Sequence, residues 1–555
     1  MLISVDISTK SFGNNILYKD LSFDIQKNEK VGLVGRNGTG KSTLLNMITG
    51  DDVDYAGEVK IKSGTVVVSG RQEHHGHEDK TIFEYIQGDL PEYSKLTEII
   101  DTYPDKMSTD TQMIQQYSDA LERFNHLNYY QLEDNIKQAI DAYQLEPKIL
   151  HRKMSTLSGG QVRMVELIKV QRSRGDIALI DEPTNHMDYV AKDSFIKWLK
   201  AADESVLVIT HDRDVLKTVG RIIEIRDGRS YNFKGNYDDY LRINKSQVTA
   251  QVNEYDISQQ RIKNLRNDIV RFRRLKEKAR NPGTIRRFKS QERKAQDELA
   301  ILVAQDKPAF WIDQESATDM SPKMTDAYEK YKATNISVRT ENNNSDTAKR
   351  RLIKVDNISL GYDEDPLFSP LSFELREGER LRLHGRNGTG KTTLVQAIMS
   401  QAGIGTLSSK CFSGHIEIEQ DIRVGLYEQE INPEYLLLSL GEAVEQILRN
   451  SNQPISQQKV KQLLSDYLFN PITDSLMPVK QLSGGQKARL QLIAMLANDP
   501  HVLVLDEPTN HLDLPSIEEI ENALVSYSGA VIYISHDSFF ANKLGGKTLK
   551  IIANE

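Results

Sequence analysis

Gly35-Arg36-Asn37-Gly38-Thr39-Gly40-Lys41-Ser42 follows the apolar run Lys30 to Val34, and Gly385-Arg386-Asn387-Gly388-Thr389-Gly390-Lys391-Thr392 follows Arg380 to His384. Small residues at this spacing let backbone N–H groups curl around phosphate oxygens, and the helix that follows adds a favourable dipole. Lys41 and Lys391 are placed to reach the β- and γ-phosphates of a nucleotide, and Ser42 and Thr392 to reach Mg2+; Thr43 and Thr393 continue each loop. Asp181-Glu182 and Asp506-Glu507 end the apolar strands Ile177 to Ile180 and Val502 to Leu505. There the aspartates can hold a hydrated magnesium ion and the glutamates can polarise an attacking water. His211 and His536 each end another apolar strand, at the same spacing after Glu182 and Glu507, and the repeated spacing marks them as γ-phosphate contacts. The chemistry these residues could do together is transfer of a phosphoryl group to water, twice on one chain.

The elements that must position these groups repeat with them. Ser158/Ser483, Glu182/Glu507 and His211/His536 all share one offset along the chain, whereas Lys41 and Lys391 are set further apart. The first repeat therefore holds a surplus of about 25 residues between its phosphate loop and Ser158, within the stretch 88–145. Tyr117, Leu121, Phe124 and Leu127 share one helical face there, so the surplus reads as an inserted helical arm. Strands alternating with helices in each repeat predict an α/β fold with a largely parallel, doubly wound sheet. The boundaries expected are 1–240 for the first domain, 241–305 for a linker, 306–350 for a connector and 351–555 for the second domain.

Leu157-Ser158-Gly159-Gly160-Gln161 and Leu482-Ser483-Gly484-Gly485-Gln486 resemble the signature of the ATP-binding cassette superfamily, which are P-loop NTPases. The resemblance implies ATP as ligand with Mg2+, and two domains stacked head to tail. Lys41 would then share a site with Ser483 and Gly485, and Lys391 with Ser158 and Gly160. It also implies that Gln72 and Gln429 touch the metal and the water, and that Phe12 and Tyr362, each at the same spacing before its lysine, stack on adenine. The bland alternatives are surface glutamines and core aromatics. His74, His75 and His77 stand beside Gln72 without a second ligand cluster, and read as a solvated loop rather than a metal site.

Charge distribution says what such a device could act on. The chain has a net charge of −8, yet between Arg261 and Lys294 there are 14 Lys/Arg and 3 Asp/Glu, a local net of +11. Asn281-Pro282-Gly283 breaks this segment, which predicts two long helices; the first, from Tyr240 to Arg280, would be about 60 Å long. Arg271, Arg273, Arg274, Lys276, Lys278, Arg280, Arg286, Arg287 and Lys289 crowd around the break, with Phe272 and Phe288 among them. Like charges this close repel unless an anionic partner neutralises them, and a phosphate backbone is the natural partner.

The whole layout, two cassettes with an arm in the first and a basic helical hairpin between them, resembles the ABC-F family. Gly235-Asn236-Tyr237-Asp238-Asp239-Tyr240-Leu241 at the linker entrance and Ser290-Gln291-Glu292-Arg293-Lys294 after its tip fit that family. The resemblance implies a ribosome-binding ATPase whose hairpin enters the tRNA exit site, touching rRNA and peptidyl-tRNA, and which acts as a general translation factor or in antibiotic resistance. Met187 departs from the family's leucine, the connector is long, and Phe310-Trp311-Ile312-Asp313 has no account in it. No apolar run approaches the ~20 residues that span a bilayer, and the single cysteine, Cys411, fits a reducing, cytoplasmic setting. A monomer with intramolecular cassette pairing is expected. The alternative is the ATPase subunit of a membrane transporter with separate membrane partners, which would leave the basic hairpin unexplained.

Overall fold

The computed structural model describes residues 1–555 except 14, 71–77, 91, 106–110, 174, 186, 305–349, 363, 406–408, 429, 430, 452, 511 and 555, with positions 15 and 484 described by backbone alone. Gln72, Gln429, the three histidines near Gln72, and the connector with its Phe310–Asp313 stretch lie outside the described residues. The chain divides into two compact units: the two cassettes together, and the segment that begins at Asp238.

Each cassette is built on a parallel sheet. In the first the order is Val67–Gly70, Ile177–Asp181, Ser205–Ile209, Lys30–Gly35, Arg221–Arg226 and Arg229–Lys234, with only the last pair antiparallel. In the second it is Val424–Tyr427, Val502–Asp506, Ala530–Ile534, Arg380–His384 and Lys547–Lys550, all parallel. The strands that end in the acidic pair, in the histidine and in the phosphate loop are thus consecutive neighbours. Their carboxyl ends share one edge, the place where open α/β sheets bind ligands.

The sequence reading did not separate off the initial strands, which form a second, antiparallel layer. Ile3–Phe12 lies between Asn15–Ile25 and Ala56–Ile61, and Arg351–Gly361 lies between Leu371–Arg376 and Lys410–Ile418. Leu44, Leu45 and Ile48 of the helix Lys41–Thr49 join one apolar core with Ile3, Val5 and Ile7 from this layer and Leu179, Leu207 and Ile209 from the parallel sheet. The helix that follows the phosphate loop is therefore held between two sheets.

Within 88–145 the first cassette carries the helix pair Tyr93–Thr102 and Thr111–His126. Phe124 is buried against Tyr93 and Tyr129, ring centroids 5.7 and 5.4 Å away, and Arg123 bonds Glu92 at 2.9 Å across the pair. The linker is two helices, Tyr237–Lys278 and Pro282–Val303, broken where the Pro-Gly pair stands. The first has 42 residues, about 63 Å at the usual rise. It starts ahead of the Tyr240 expected, because Asp238 and Asp239 suit the positive end of a helix. Arg261 clamps Glu298 at 2.7 and 2.9 Å, and Arg273 and Lys276 both hold Glu292, so the two helices pair as a hairpin. Among the described residues no helix is long and apolar enough to cross a membrane.

Below the arm sits a buried polar group that the second cassette lacks. Tyr85 donates to Glu166 at 2.6 Å, and Lys169 lies 2.7 Å from Glu166 and 2.9 Å from Asp89. At the offset that relates Glu182 to Glu507, the counterparts of Glu166 and Lys169 are Gln491 and Ala494. Glu166 and Lys169 are each 1 % exposed, so removing the cation would strand a carboxylate in the core. Lys169→Met is expected to destabilise the first cassette by about 3–5 kcal/mol, read as a lower urea midpoint, whereas removing the exposed Lys60–Glu58 pair should leave the midpoint in place.

Candidate nucleotide site

The phosphate loops are left-handed where the helix begins. Gly40 and Gly390 cap their helices at φ 89° and 87°, and a Cβ there would lie 2.5 Å from Leu17 or 2.7 Å from Phe368, so glycine is required. Lys41 donates to the carbonyls of Gly35 and Arg36 at 2.8 and 3.1 Å; Lys391 does the same with Gly385 and Arg386 at 2.9 and 2.6 Å. Burial lowers the pKa of both ammonium groups, while the acidic pair of the same cassette opposes that shift. Each lysine thus rests on its own loop. Gly38 and Gly388, at the crest, face open space.

Ser42 hydrogen-bonds Asp181, and Thr392 donates to Asp506 at 2.8 Å. A hydroxyl beside a carboxylate is a hard oxygen set of the kind that suits Mg2+. Glu182 and Glu507 follow with φ of 45° and 50°, a strained backbone for a residue with a side chain. Their amides are tied to Ile209 and Ile534 of the neighbouring strand at 2.8 and 3.0 Å, which holds the strain in place. Burial, and then the adjacent aspartate, pushes the Glu182 carboxyl up to about 8 and that of Glu507 up to about 7.

His211 lies 3.5 Å from Glu182, and His536 lies 3.3 Å from Glu507. Burial and the phosphate-loop lysine hold both rings neutral, with pKa lowered to about 3. All four ring nitrogens, and Oε1 of Glu507, are buried without a hydrogen-bond partner. Buried polar atoms ordinarily have partners, and orphans converging on one spot mark where a polar ligand belongs. Lysine, glycine crest, hydroxyl–carboxylate pair and orphaned imidazole together fit a nucleotide triphosphate with its metal.

The signature pentapeptides are helix starts. Ser158 and Ser483 are N-caps, Gln161 and Gln486 reach back to their amides, and the reciprocal bonds make two capping boxes. Head-to-tail stacking brings each signature to the opposite loop. Ser158, Gly159 and Gly160 line a cavity of about 590 Å³ together with Gly388, Lys391 and Thr392. On the other side a Cβ on Gly485 would lie 2.3 Å from the Asn37 amide, so this signature sits against the first phosphate loop. Tyr362 lines the cavity, half exposed, with its hydroxyl 3.2 Å from Thr393; Phe12 is half exposed beside Lys10.

Two residues of this arrangement escaped the sequence reading. Asp188 caps the helix Tyr189–Ala201 with one oxygen and accepts the Asn387 amide with the other, at 3.2 Å. Asp513 caps Leu514–Ser526 and accepts the Asn37 amide at 2.9 Å. Both stand just after an Asn-His pair, at equivalent places in the two repeats, and an Asp before a helix is a capping signal. That the second oxygen crosses to the other cassette is a tertiary fact. In the hairpin unit Arg271, Arg274, Lys278, Arg280, Arg286, Arg287 and Lys289 are exposed, Arg273 and Lys276 are engaged with Glu292, and Phe272 and Phe288 are half-buried.

Known proteins resemble this chain along nearly its whole length. The ABC transporter family model matches residues 18–185 and 368–510, and a second model, also described as ABC transporter, matches 223–302. The chain is 27 % identical to the energy-dependent translational throttle protein EttA of Mycobacterium tuberculosis, over 96 % of this chain and 88 % of that one. It is 25 % identical to the ribosome protection protein VmlR of Bacillus subtilis, over 97 % and 84 %. In three dimensions it resembles the RNase-L inhibitor, with a TM-score of 0.56 and 16 % identity over 98 % of this chain and 87 % of that one, a likeness of fold. With the first model covering more than half of its length, on both repeats, this chain belongs to the ABC transporter family, as a tandem ATP-binding cassette protein of ABC-F type.

Proposed function

We propose that the chain hydrolyses ATP to ADP and phosphate at two composite sites, and that its ATP-closed form binds the ribosome at the tRNA exit site to modulate translation. The observation that carries the first half is the reciprocal pair of amide–carboxylate bonds, Asn37 to Asp513 and Asn387 to Asp188, which set each phosphate loop against the other cassette. In this reading Gly35, Asn37, Gly38, Gly40, Lys41, Ser42 and Thr43 cradle one triphosphate, and Gly385, Asn387, Gly388, Gly390, Lys391, Thr392 and Thr393 the other. Ser483, Gly484 and Gly485, and Ser158, Gly159 and Gly160, close the two sites from across the interface. Phe12 and Tyr362 stack on the bases.

Ser42 and Asp181, and Thr392 and Asp506, with Gln72 and Gln429, would hold Mg2+, which when bound neutralises charge on the phosphate oxygens. Glu182 and Glu507 take the proton of the attacking water, and their raised pKa values match that task near neutral pH. Neutral His211 and His536 donate to the γ-phosphate from the nitrogens that lack partners.

The basic hairpin supports the ribosome as partner over a transporter's membrane subunits, which would give those charges nothing to neutralise. The names of the two relatives, a translational throttle protein and a ribosome protection protein, point the same way. The short tip between Lys278 and Pro282 and the helical arm favour a general translation factor over displacement of an antibiotic. A cytoplasmic monomer with its two cassettes paired within one chain completes the reading.

A carboxylate must be deprotonated to accept a proton, so kcat/KM should rise with pH through about 7–8 and fall about tenfold per unit below that window; a flat profile from pH 6 to 9 would remove the glutamates from the chemistry. Glu182→Gln with Glu507→Gln should abolish turnover while keeping ATP bound, and the variant should co-sediment with ribosomes in ATP and inhibit translation. Equal recovery without nucleotide would count against an ATP-closed binding form. Neutralising Arg274, Arg280, Arg286 and Arg287 should weaken that association and shallow its dependence on log salt by roughly 3 of slope, with ATP turnover in the absence of ribosomes unchanged.

A further inference from the structure

Equivalent positions of the two cassettes keep the constant offset that relates Glu182 to Glu507, so each contact residue has an internal counterpart. Most counterparts match in kind: Asp188 with Asp513, His211 with His536, Asp212 with Asp537. Among those that do not are two neighbouring positions. Lys192 corresponds to Ile517, and Asp214 to Phe539, so a cation and an anion in the first cassette replace an aliphatic and an aromatic side chain in the second.

Lys192 is 6 % exposed on the helix Tyr189–Ala201. Its ammonium lies 2.6 Å from Asp214 and 2.8 Å from Asp212, and donates to the main-chain carbonyl of His536 at 3.4 Å. Asp214 in turn accepts the Ser538 hydroxyl, 2.8 Å from each carboxylate oxygen. Asp212 follows His211 directly and caps the next helix, Arg213–Leu216. One ammonium group therefore touches the loop that carries the first site's histidine and the loop that carries the second's.

The matching place in the second cassette is built from Ile517 and Phe539. Ile517 has no donor, and the Phe539 ring instead receives Lys217 at 4.6 Å and Arg213 at 5.4 Å. Arg213 also pairs with Glu521 across the cassettes at 2.9 Å, and their counterparts, Ser538 and Ile196, cannot form a charge pair. Ile517 and Phe539 themselves are apolar, and the charge beside Asp537 is supplied across the interface by Arg213 and Glu521, so the two cassettes meet through different charged groups. A buried ion pair is an expensive way to fill space, and its best-attested use is to specify one arrangement.

We propose that Lys192 is a positioning residue that couples the two hydrolytic sites by tying the His536 loop of one cassette to the His211–Asp212 loop of the other. The proposal rests on the ATPase reading above. When the second site opens, the His536 carbonyl and the Ser538 hydroxyl leave the cluster, and Lys192 and Asp214 rearrange around Asp212, next to His211. Neither site then turns over independently of the other.

The test is non-additivity of the two glutamates, measured as steady-state ATP turnover of the full chain. In the unaltered chain Glu182→Gln or Glu507→Gln alone should lower turnover about tenfold, well beyond the loss of one independent site and within the usual range of coupling between sites. In Lys192→Ile with Asp214→Phe, which copies the second cassette's pair into the first, each single glutamate change should leave about half of that variant's own turnover, as uncoupled sites would. Ser538→Ala removes only the cross-cassette hydroxyl and no charge. It should shift the single-glutamate penalty in the same direction by a smaller factor, and it keeps the test readable if the double variant fails to fold. A single-glutamate penalty that is the same with and without the Lys192 cluster, or one of only half in the unaltered chain, overturns the coupling. Undiminished hydrolysis in Glu182→Gln with Glu507→Gln would overturn the ATPase reading itself, whatever Lys192 does.

Discussion

Each phosphate loop needs a counter-surface, and the chain supplies it from its own second copy through a carboxylate with two tasks. One oxygen of Asp188 or Asp513 ends a helix by accepting its first free amides; the other accepts the asparagine amide of the opposite loop. A cap is worth about 1 kcal/mol, and a hydrogen bond to a charged acceptor about 1.5–3 kcal/mol. The geometry is stricter than these energies suggest, because the helix start and the loop crest must meet at one atom pair. The signature helices, the cavity against Lys391 and the approach of Gly485 to Asn37 all follow from that registration.

Within each site the difficulty is electrostatic. Two carboxylates stand adjacent at the end of a buried strand, with a lysine that is itself partly deprived of water. The aspartate meets a hydroxyl and the glutamate has little to bond with, so burial and mutual repulsion raise the glutamate furthest. Separating two chemically similar acids by environment is how one scaffold can assign metal holding to one and proton transfer to the other. The left-handed backbone at Glu182 and Glu507 is part of the same arrangement: the neighbouring strand pins the amide and leaves the side chain aimed into the site.

Much of this was legible from residue order. The glycine spacing, the acidic pairs and the equal distances from glutamate to histidine picked out residues that the fold gathers at the ends of neighbouring strands, because phosphate binding needs backbone freedom and charge at set intervals. The Asn-Pro-Gly break gave the hairpin, since proline and glycine act locally on the chain. Features that depend on distant partners stayed hidden. The split into parallel and antiparallel layers depends on which strands pair, and Lys192 looks like any surface lysine until Asp212, Asp214 and His536 close around it. Asp188 and Asp513 were readable as caps but not as clasps.

The hairpin shows the opposite balance, with charge that its own fold does little to satisfy. Glu292 and Glu298 hold Arg261, Arg273 and Lys276, and these pairs set the register of the two helices. They are largely exposed on the basic side, where ion pairs stabilise by at most about 1 kcal/mol each. Seven further cations near the tip are exposed and close to one another. A hairpin selected only to hold its own shape would alternate the two signs along its faces and gain stability by doing so. Repulsion of this kind is retained where something anionic, repeating at short intervals, offsets it, and a folded polynucleotide has that character. The proposed translational role therefore rests on an energetic cost that the isolated hairpin does not recover.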